Sequence, residues 1–412
     1  MKDYIHKENC RLCGGSLFKL VMSLGNSSLA NELVDEDLEQ DTFPLDLFRC
    51  ELCGHYQLLD VVSPDRMFKH YLYVSGTSKL MRDHFANYAE TIVKDLRLKS
   101  DDLVCDIGSN DSTLLKAFAK NNVKVIGVEP AENLAAQSNK EGIRTISKFF
   151  SVDVAKEIVK DFGKASVVTS NNCFAHLDDM RGFVEGVKEM LADDGVFVFE
   201  NAYLLDMLKT NDFSQVYHEH VGYFGLMPLK LFFRTLGMII FDAQLIDIHG
   251  GSIRFFVVKD GSREIKPSVA KIIKDEEDSD VYNPSLDFTN KDFHCNNLIT
   301  KVKLKERLLT LKGQGKTIAG AFASAKSTTL LHYFEIGKDI LDCIFDDAPE
   351  KIGKLSSGKH IPILPFSALS EKSPDYVLIL SYNFTDFVIK KHSDYKGTWI
   401  VLFPEIKEIK NV

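Results

Sequence analysis

Short apolar runs alternate with helix-like runs twice along this chain, and that rhythm narrows the possible folds more than any other feature. In the first set, residues 103–107 read as a strand and 112–120 as a helix, 123–129 as a strand and 132–141 as a helix, 166–170 as a strand and 180–191 as a helix, and 195–200 as a strand. Each apolar run is too continuous for a half-exposed strand, so helices are expected on both faces of a parallel sheet. Residues 239–247 and 253–258 read as two further strands joined through His249-Gly250-Gly251. A second, shorter set follows, with strands at 317–322, 340–346, 376–381 and 398–403 and a helix at 328–336. The fold class is therefore α/β, with two nucleotide-binding-type lobes in one chain. Segment 69–97 reads as a helix whose buried stripe runs through Met81, Phe85 and Tyr88, and 298–311 as another. The charged stretch 271–280 and the polar stretch 283–290 read as a boundary.

The N-terminal part has a different logic. Cys10-x-x-Cys13 is followed by Gly14, and Cys50-x-x-Cys53 by Gly54. Each pair can turn both thiolates toward one metal, with glycine easing the knuckle, and four thiolates close a zinc coordination sphere. The zinc expected on Cys10, Cys13, Cys50 and Cys53 is thus structural; a redox dithiol is the alternative. His6 and His55 lie nearby and are not needed as ligands. The isolated Cys105, Cys173, Cys295 and Cys343 read as small buried hydrophobes.

At 412 residues, two to three domains are expected. The formal charge of −9, from 50 basic and 59 acidic residues, disfavours a nucleic-acid partner. No apolar run reaches membrane-spanning length and the N-terminus lacks the apolar core of a signal peptide, so a cytoplasmic protein with no membrane partner is expected.

Two clusters carry chemistry. The strand at 103–107 ends in Asp106-Ile107-Gly108-Ser109-Asn110-Asp111 ahead of a helix, a place where backbone amides can meet a ligand. It lacks the G-x-G-x-x-G pattern of pyrophosphate-binding dinucleotide sites, which disfavours a nicotinamide-dependent epimerase or reductase. The next strand ends in Glu129-Pro130, where a carboxylate can accept both ribose hydroxyls. Acidic residues at both strand ends suit a cationic, phosphate-free cofactor, and S-adenosylmethionine fits. Asn171, at a third strand end, leads to His176 along the same edge. The second cluster, Tyr217-His218-Glu219-His220, packs two imidazoles, a carboxylate and a phenol at the end of a buried element, as proton transfer requires.

Several stretches in combination resemble the three-domain sugar C-methyltransferases, which act on nucleotide-linked deoxysugars bearing a 4-keto group. They are the cysteine knuckles, Tyr71-Leu-Tyr-Val-Ser-Gly-Thr-Ser78 leading to His84, Ile107-Gly-Ser-Asn-Asp-Ser-Thr-Leu-Leu115, Val128-Glu-Pro-Ala131, Phe174-Ala-His176, Tyr217-His-Glu-His-Val-Gly-Tyr-Phe224 and His249-Gly-Gly-Ser-Ile-Arg254. The resemblance implies a zinc lobe over 1–68, a central Rossmann-like S-adenosylmethionine domain over 69–260, and a Rossmann-like C-terminal lobe with a helical lead-in over 261–412. It implies acid–base roles for Tyr217, Glu219 and His220, and a substrate-facing His176. It also implies that Tyr71 or Tyr73, from a tyrosine-rich helix, approaches the site.

Neutral histidine has the pKa range to take a proton from carbon beside a ketone, and His220 is the expected base. Glu219 could orient an imidazole or hold a sugar hydroxyl, and Tyr217 and His176 could stabilise the enolate oxygen. His218 is expected to pack away from the site. Arg254 and Lys326 are candidate partners for the nucleotide diphosphate. Two departures from the family stand out. Ser112 replaces the usual glycine, tolerable if its φ is negative at a helix start. Gly320-Ala-Phe-Ala-Ser-Ala-Lys326 lacks the second glycine of the family's C-terminal turn, while Asp346-Asp-Ala-Pro-Glu-Lys-Ile-Gly353 keeps the pattern. Competing readings are an O- or N-methyltransferase on a nucleotide-linked sugar and a non-enzymatic zinc-containing binding module. A monomer or weak homodimer is expected.

Overall fold

The structure, a computed structural model, describes residues 4–69, 71, 73–248, 250–283 and 293–411. His249 and the polar stretch beyond 283 lie outside the described residues. Among the described residues no helix is long and apolar enough to cross a membrane.

The N-terminal lobe is built on Phe18–Ser27, Phe43–Cys50 and Tyr56–Leu58, paired antiparallel in that order. Phe43, Leu45 and Leu47 alternate inward along the middle strand, the period-two pattern of a sheet with one wet face. The fourth strand of this sheet comes from far along the chain. Gly222–Tyr223 pairs with Tyr56–Leu58, Gly222 opposite Gln57 and Tyr223 opposite Tyr56. The lobe is thus not self-contained.

Seven strands form the central sheet, in the order Met238–Ile246, Ser252–Lys259, Leu191–Ala202, Ala165–Asn171, Leu103–Ile107, Lys124–Val128 and Thr145–Ile146. Every residue of Leu103–Ile107 is buried, as a strand covered on both faces must be. The five strands from Leu191–Ala202 to Thr145–Ile146 run parallel, and the terminal pair is antiparallel. Strand order reverses between Leu103–Ile107 and Ala165–Asn171, which opens a crevice at their carboxyl ends.

A third sheet runs Ile363–Pro365, Ile344–Asp346, Ile318–Ala321, Tyr376–Ile379, Thr398–Val401 and Lys407–Lys410, with only the last strand antiparallel. Its reversal lies between Ile318–Ala321 and Tyr376–Ile379.

Three sequence expectations need correction. The described residues of 69–78 form no α-helix: a 3-10 turn at Ser75–Thr77 precedes the helix Lys79–Leu96, which buries Met81, Phe85 and Tyr88 as expected. Glycine and serine in 75–78 favour a turn over helix continuation. Most of the charged stretch 271–280, read as part of a boundary, belongs to the helix Pro267–Asp278. It packs on Met238–Ile246 and the helix Leu226–Thr235 through Val269 and Ile272, so the lead-in beyond residue 260 docks on the central domain. The isolated cysteines also divide: Cys105 and Cys343 are buried, Cys173 and Cys295 only partly.

Glu276 explains how a charged helix can be buried there. Its Oε1 accepts from the Leu226 amide at 2.7 Å and the Tyr203 hydroxyl at 3.1 Å, and its Oε2 from the Met227 amide at 3.0 Å. A carboxylate from one helix thus caps the amino end of another, where free amides and the helix dipole favour negative charge. Replacing Glu276 by Ala orphans these donors. Urea unfolding should show a loss on the order of 2–4 kcal/mol, against a few tenths for the exposed Glu277→Ala.

Candidate active site

The crevice of the central sheet is shaped by backbone geometry. Gly108 has φ of 73°, and a Cβ there would lie 2.7 Å from Cys173 Sγ, so only glycine fits. Asn110 follows at φ 50°. Ser112 stands at φ 60°, the left-handed conformation of the glycine it replaces. The expected negative φ is thus wrong. The serine accepts the strained backbone and donates its hydroxyl to Ser138 Oγ at 2.8 Å.

Glu129 braces this turn. One carboxylate oxygen accepts from the Asn110 amide at 2.8 Å and the other from the Ala131 amide at 2.9 Å. Each oxygen keeps a lone pair for a further donor such as a ribose hydroxyl. Burial raises the pKa of Glu129, and raises that of Asp106 to about 7 against the hydrogen bond from Thr169. Buried carboxylates without a cation partner are complementary to a cationic guest. Ser109 Oγ and both amide atoms of Asn171 are buried here without a hydrogen-bond partner. Such atoms are costly to leave unpaired and mark where a ligand's polar groups belong. Asp106, Gly108, Ser109, Asn110, Asp111 and Asn171 line one cavity together with Ser75, Phe85, Thr113 and Leu114. These residues fit S-adenosylmethionine.

The segment read as a tyrosine-rich helix crosses this crevice as a strap. The Ser75 amide donates to Asn110 Oδ1 and the Gly76 amide to Asp111 Oδ2, both at 3.0 Å. Asn110 Nδ2 donates to the Tyr73 carbonyl at 2.9 Å. Tyr73 therefore meets the crevice through its backbone. Tyr71 reaches the second cluster, its hydroxyl donating to Glu219 Oε2 at 2.7 Å.

Residues 217–220 form a tight turn, with the His220 amide on the Tyr217 carbonyl at 2.8 Å. The turn sorts its side chains. His218 is buried on the zinc-lobe side, its Nε2 donating to the Phe43 and Pro44 carbonyls at 3.3 and 3.2 Å. His220 points the other way and lines a crevice with Asn172, Ala175, Asn201, Gly222 and Tyr223. His220 Nδ1 lies 2.9 Å from the Gln215 carbonyl, which can only accept, so this nitrogen carries the hydrogen. Its Nε2 then presents a lone pair to the Tyr217 hydroxyl at 2.7 Å. His176 stacks between Phe68, at 5.2 Å, and His220, also at 5.2 Å. Burial lowers His176 to about 4, so it stays neutral beside its neighbour. Burial raises Glu219 to about 7, opposed by donors Tyr71 and Asn31. The two cavities lie at neighbouring residues of one strand end: Asn171 lines the first and Asn172 the second.

Arg254 is not where a diphosphate could use it. It is 5% exposed, and its Nε and second guanidinium nitrogen bind Glu200 Oε2 at 2.9 and 2.8 Å. It lies over the Tyr88 ring at 3.9 Å, and His84 Nε2 holds the other Glu200 oxygen at 2.8 Å. Adjacent strands put residues 200 and 254 directly opposite, so the pair is a cross-strand brace, a register that sequence spacing does not reveal. Lys326 sits at the crevice of the C-terminal sheet. Its amino group is 3.3 Å from Asn383 Oδ1 and 5.7 Å from the Tyr382 ring centre, and Asp212 also faces it. Phe322, at the absent glycine of this turn, keeps a positive φ of 71°.

Cys10 Sγ lies 3.6 Å from Cys53 Sγ, and Cys13 Sγ 3.6 Å from Cys50 Sγ, with all four within 4.8 Å of one another. Thiolates about 2.3 Å from a central zinc would stand about 3.8 Å apart in a tetrahedron. Gly14 and Gly54, at φ 74° and 79°, close the knuckles. Asn31, Asn172, Asn201 and Tyr223 are site residues the sequence reading missed. Adjacent strands of the central sheet bring Asn172 and Asn201 together, the strand Gly222–Tyr223 adds Tyr223, and Asn31 comes in from the zinc lobe onto Glu219.

Three family models match successive parts of the chain. A zinc binding domain model matches residues 10–68, a methyltransferase domain model 80–238, and a C-methyltransferase C-terminal domain model 247–404. The chain is 32% identical to the C-methyltransferase NovU of Streptomyces niveus over 417 residues, covering 99% of both chains. Among solved structures, a protein of Pyrococcus horikoshii overlaps 48% of this chain and 98% of its own, at 12% identity and a TM-score of 0.37. The magnesium protoporphyrin IX methyltransferase of Synechocystis with bound S-adenosylmethionine overlaps 43% of this chain and 79% of its own, at 11% identity and a TM-score of 0.33.

Two measurements bear on the support of the site. Elemental analysis should find one zinc per chain, and Cys50→Ser should lose it along with the near-ultraviolet signature of the lobe. The second concerns His218, which burial holds at about 4. As pH falls below 6.5 the unfolded chain takes up this proton before the folded one, so stability is lost between pH 6.5 and 4. His218→Gln keeps a donor and cannot titrate. Between pH 7 and pH 5 the parent should therefore lose on the order of 2 kcal/mol more than the variant in urea titrations.

Proposed function

Because the chain belongs to the C-methyltransferase family and is an S-adenosylmethionine-dependent methyltransferase, we propose that it methylates a ring carbon beside the keto group of a nucleotide-linked 4-keto-deoxysugar. The bound cofactor supplies an electrophilic methyl group. The difficult step left to the protein is making a carbon nucleophile by removing a proton next to the ketone.

One observation carries the reading. The Gln215 carbonyl, the His220 ring and the Tyr217 hydroxyl form a continuous hydrogen-bonded chain whose open nitrogen lone pair ends on a phenol. The sequence suggested His220 alone as base. The arrangement favours Tyr217 and His220 acting as a pair. The C–H bond breaks, its electron pair becomes the enolate, the proton passes to the Tyr217 oxygen, and the phenol proton moves to His220 Nε2. The Gln215 carbonyl stabilises the resulting imidazolium. Neutral His176 adds no competing charge at the stacked face and can donate to the enolate oxygen. Glu219, buried and held by two donors, is suited to fixing a sugar hydroxyl. Lys326, with the hydroxyls of Ser324 and Ser381 nearby, is the cation we assign to the diphosphate, in place of Arg254.

The test is a mass-spectrometric screen of nucleotide 4-keto-deoxysugars for a gain of about one CH₂ unit. It is paired with solvent deuterium exchange in the absence of cofactor. Deuterium should enter the ring at the methylated carbon; methylation at oxygen or nitrogen predicts none there. Tyr217→Phe and His220→Ala should each lower exchange by about 10²-fold or more. Near-normal exchange in Tyr217→Phe would leave His220 as a lone base, and near-normal exchange in His220→Ala would remove it from the mechanism.

A further inference from the structure

We propose that Asn31, carried by the zinc lobe, is a positioning residue for the acid–base turn, and that it makes turnover depend on the docking of that lobe. The proposal rests on the role given above to Glu219.

Three observations carry it. First, Asn31 Nδ2 donates to Glu219 Oε1 at 2.6 Å, while Tyr71 takes the other oxygen. Glu219 is 4% exposed and makes no ion pair among the described residues, so these two neutral donors are what holds its charge and orientation. The titratable groups facing it are Tyr71 from the strap and Tyr217 from its own turn, with Tyr73 beyond both. Among the described residues no cation stands within ion-pair distance to replace the amide if it is removed. Second, the backbone behind Asn31 is anchored. The Ala30 carbonyl accepts from Thr328 Oγ1 at 3.2 Å and Ser357 Oγ at 3.4 Å, both from the C-terminal lobe. Third, the far end of the turn is held by the same zinc lobe, through Gly222–Tyr223 pairing with Tyr56–Leu58 and the Leu58 amide on the Val221 carbonyl at 3.1 Å. The lobe therefore grips the turn twice, once by its backbone and once by a side chain aimed at the buried carboxylate.

A neutral amide donor favours the ionised carboxylate, and a second carboxyl in its place disfavours it. Asn31→Ala and Asn31→Asp in the full-length zinc-loaded enzyme separate this role from a structural one. The first readout needs no substrate: infrared titration of the Glu219 carboxyl, identified by difference from Glu219→Gln. The midpoint should rise in both variants, by about one unit or more in Asn31→Asp. The second readout is turnover of a nucleoside-diphosphate 4-keto-6-deoxysugar with S-adenosylmethionine. kcat should fall about ten-fold in Asn31→Ala, with zinc content and cofactor affinity unchanged, and the acid limb of kcat should move upward in Asn31→Asp.

An unmoved Glu219 titration overturns the proposal. So does a shifted titration with unchanged kcat, and so does a kcat loss that only follows loss of zinc. If the parent enzyme turns over no 4-keto sugar, the substrate assignment fails by itself, and the infrared titration still decides for or against Asn31.

Discussion

One backbone pairing organises the molecule. The strand Gly222–Tyr223 leaves the central domain and completes the sheet of the zinc lobe. The turn just before it, 217–220, is fixed at both ends, before it by the Thr329 hydroxyl on the Val216 carbonyl at 2.8 Å, and after it by the Val221 amide on the Ala175 carbonyl and the ladder to Tyr56–Leu58. A turn hung between two sheets inherits the rigidity of both. This explains how a short polar turn can keep His218 and Glu219 buried while His220 lines the crevice with the Tyr217 hydroxyl hydrogen-bonded to it. The zinc, which has no open coordination position, contributes by stiffening the sheet on which the turn is mounted.

Burial of charge is handled in two opposite ways. Glu200 is surrounded by Arg254 and His84, and its pKa is lowered despite burial; this is a closed network with every oxygen occupied. Removing one member would strand the others, which makes such networks costly to break and poor at binding anything new. Asp106, Glu129 and Glu219 have no cation within ion-pair distance among the described residues, and burial pushes each upward. The first kind braces the fold, and the second leaves unmet electrostatic demand at the crevices where guests belong.

Local signals made much of this visible in the sequence. The strands at 103–107, 123–129 and 195–200 were legible because continuous apolar runs have few other uses, and the cysteine knuckles because their spacing is tied to one geometry. The orientation of His218 was legible too. Pairing across long separations was not. Nothing in residues 200 and 254 announces that they lie opposite one another, and nothing in Asn31 points to Glu219. The reading of 69–78 as helix failed because apolar spacing outweighed the turn chemistry of Ser75-Gly76. The reading of Ser112 failed because a serine at a helix start was expected in the ordinary negative-φ region, whereas the turn holds it left-handed. Ser112 and Phe322 both keep the glycine-like φ without the glycine. Holding a non-glycine side chain in that left-handed region costs about 1–2 kcal/mol per position.

The long-range completion of the N-terminal sheet also has a consequence for synthesis. A ribosome delivers Cys10 through Cys53 early, so the metal can be captured while most of the protein is still unmade. The edge of Tyr56–Leu58, buried in the finished molecule, stays bare until residue 223 emerges. During that interval the nascent lobe presents an open ladder, the kind of edge that recruits stray strands. The lobe that gathers its metal first is thus sealed only when about half of the 412 residues have been made.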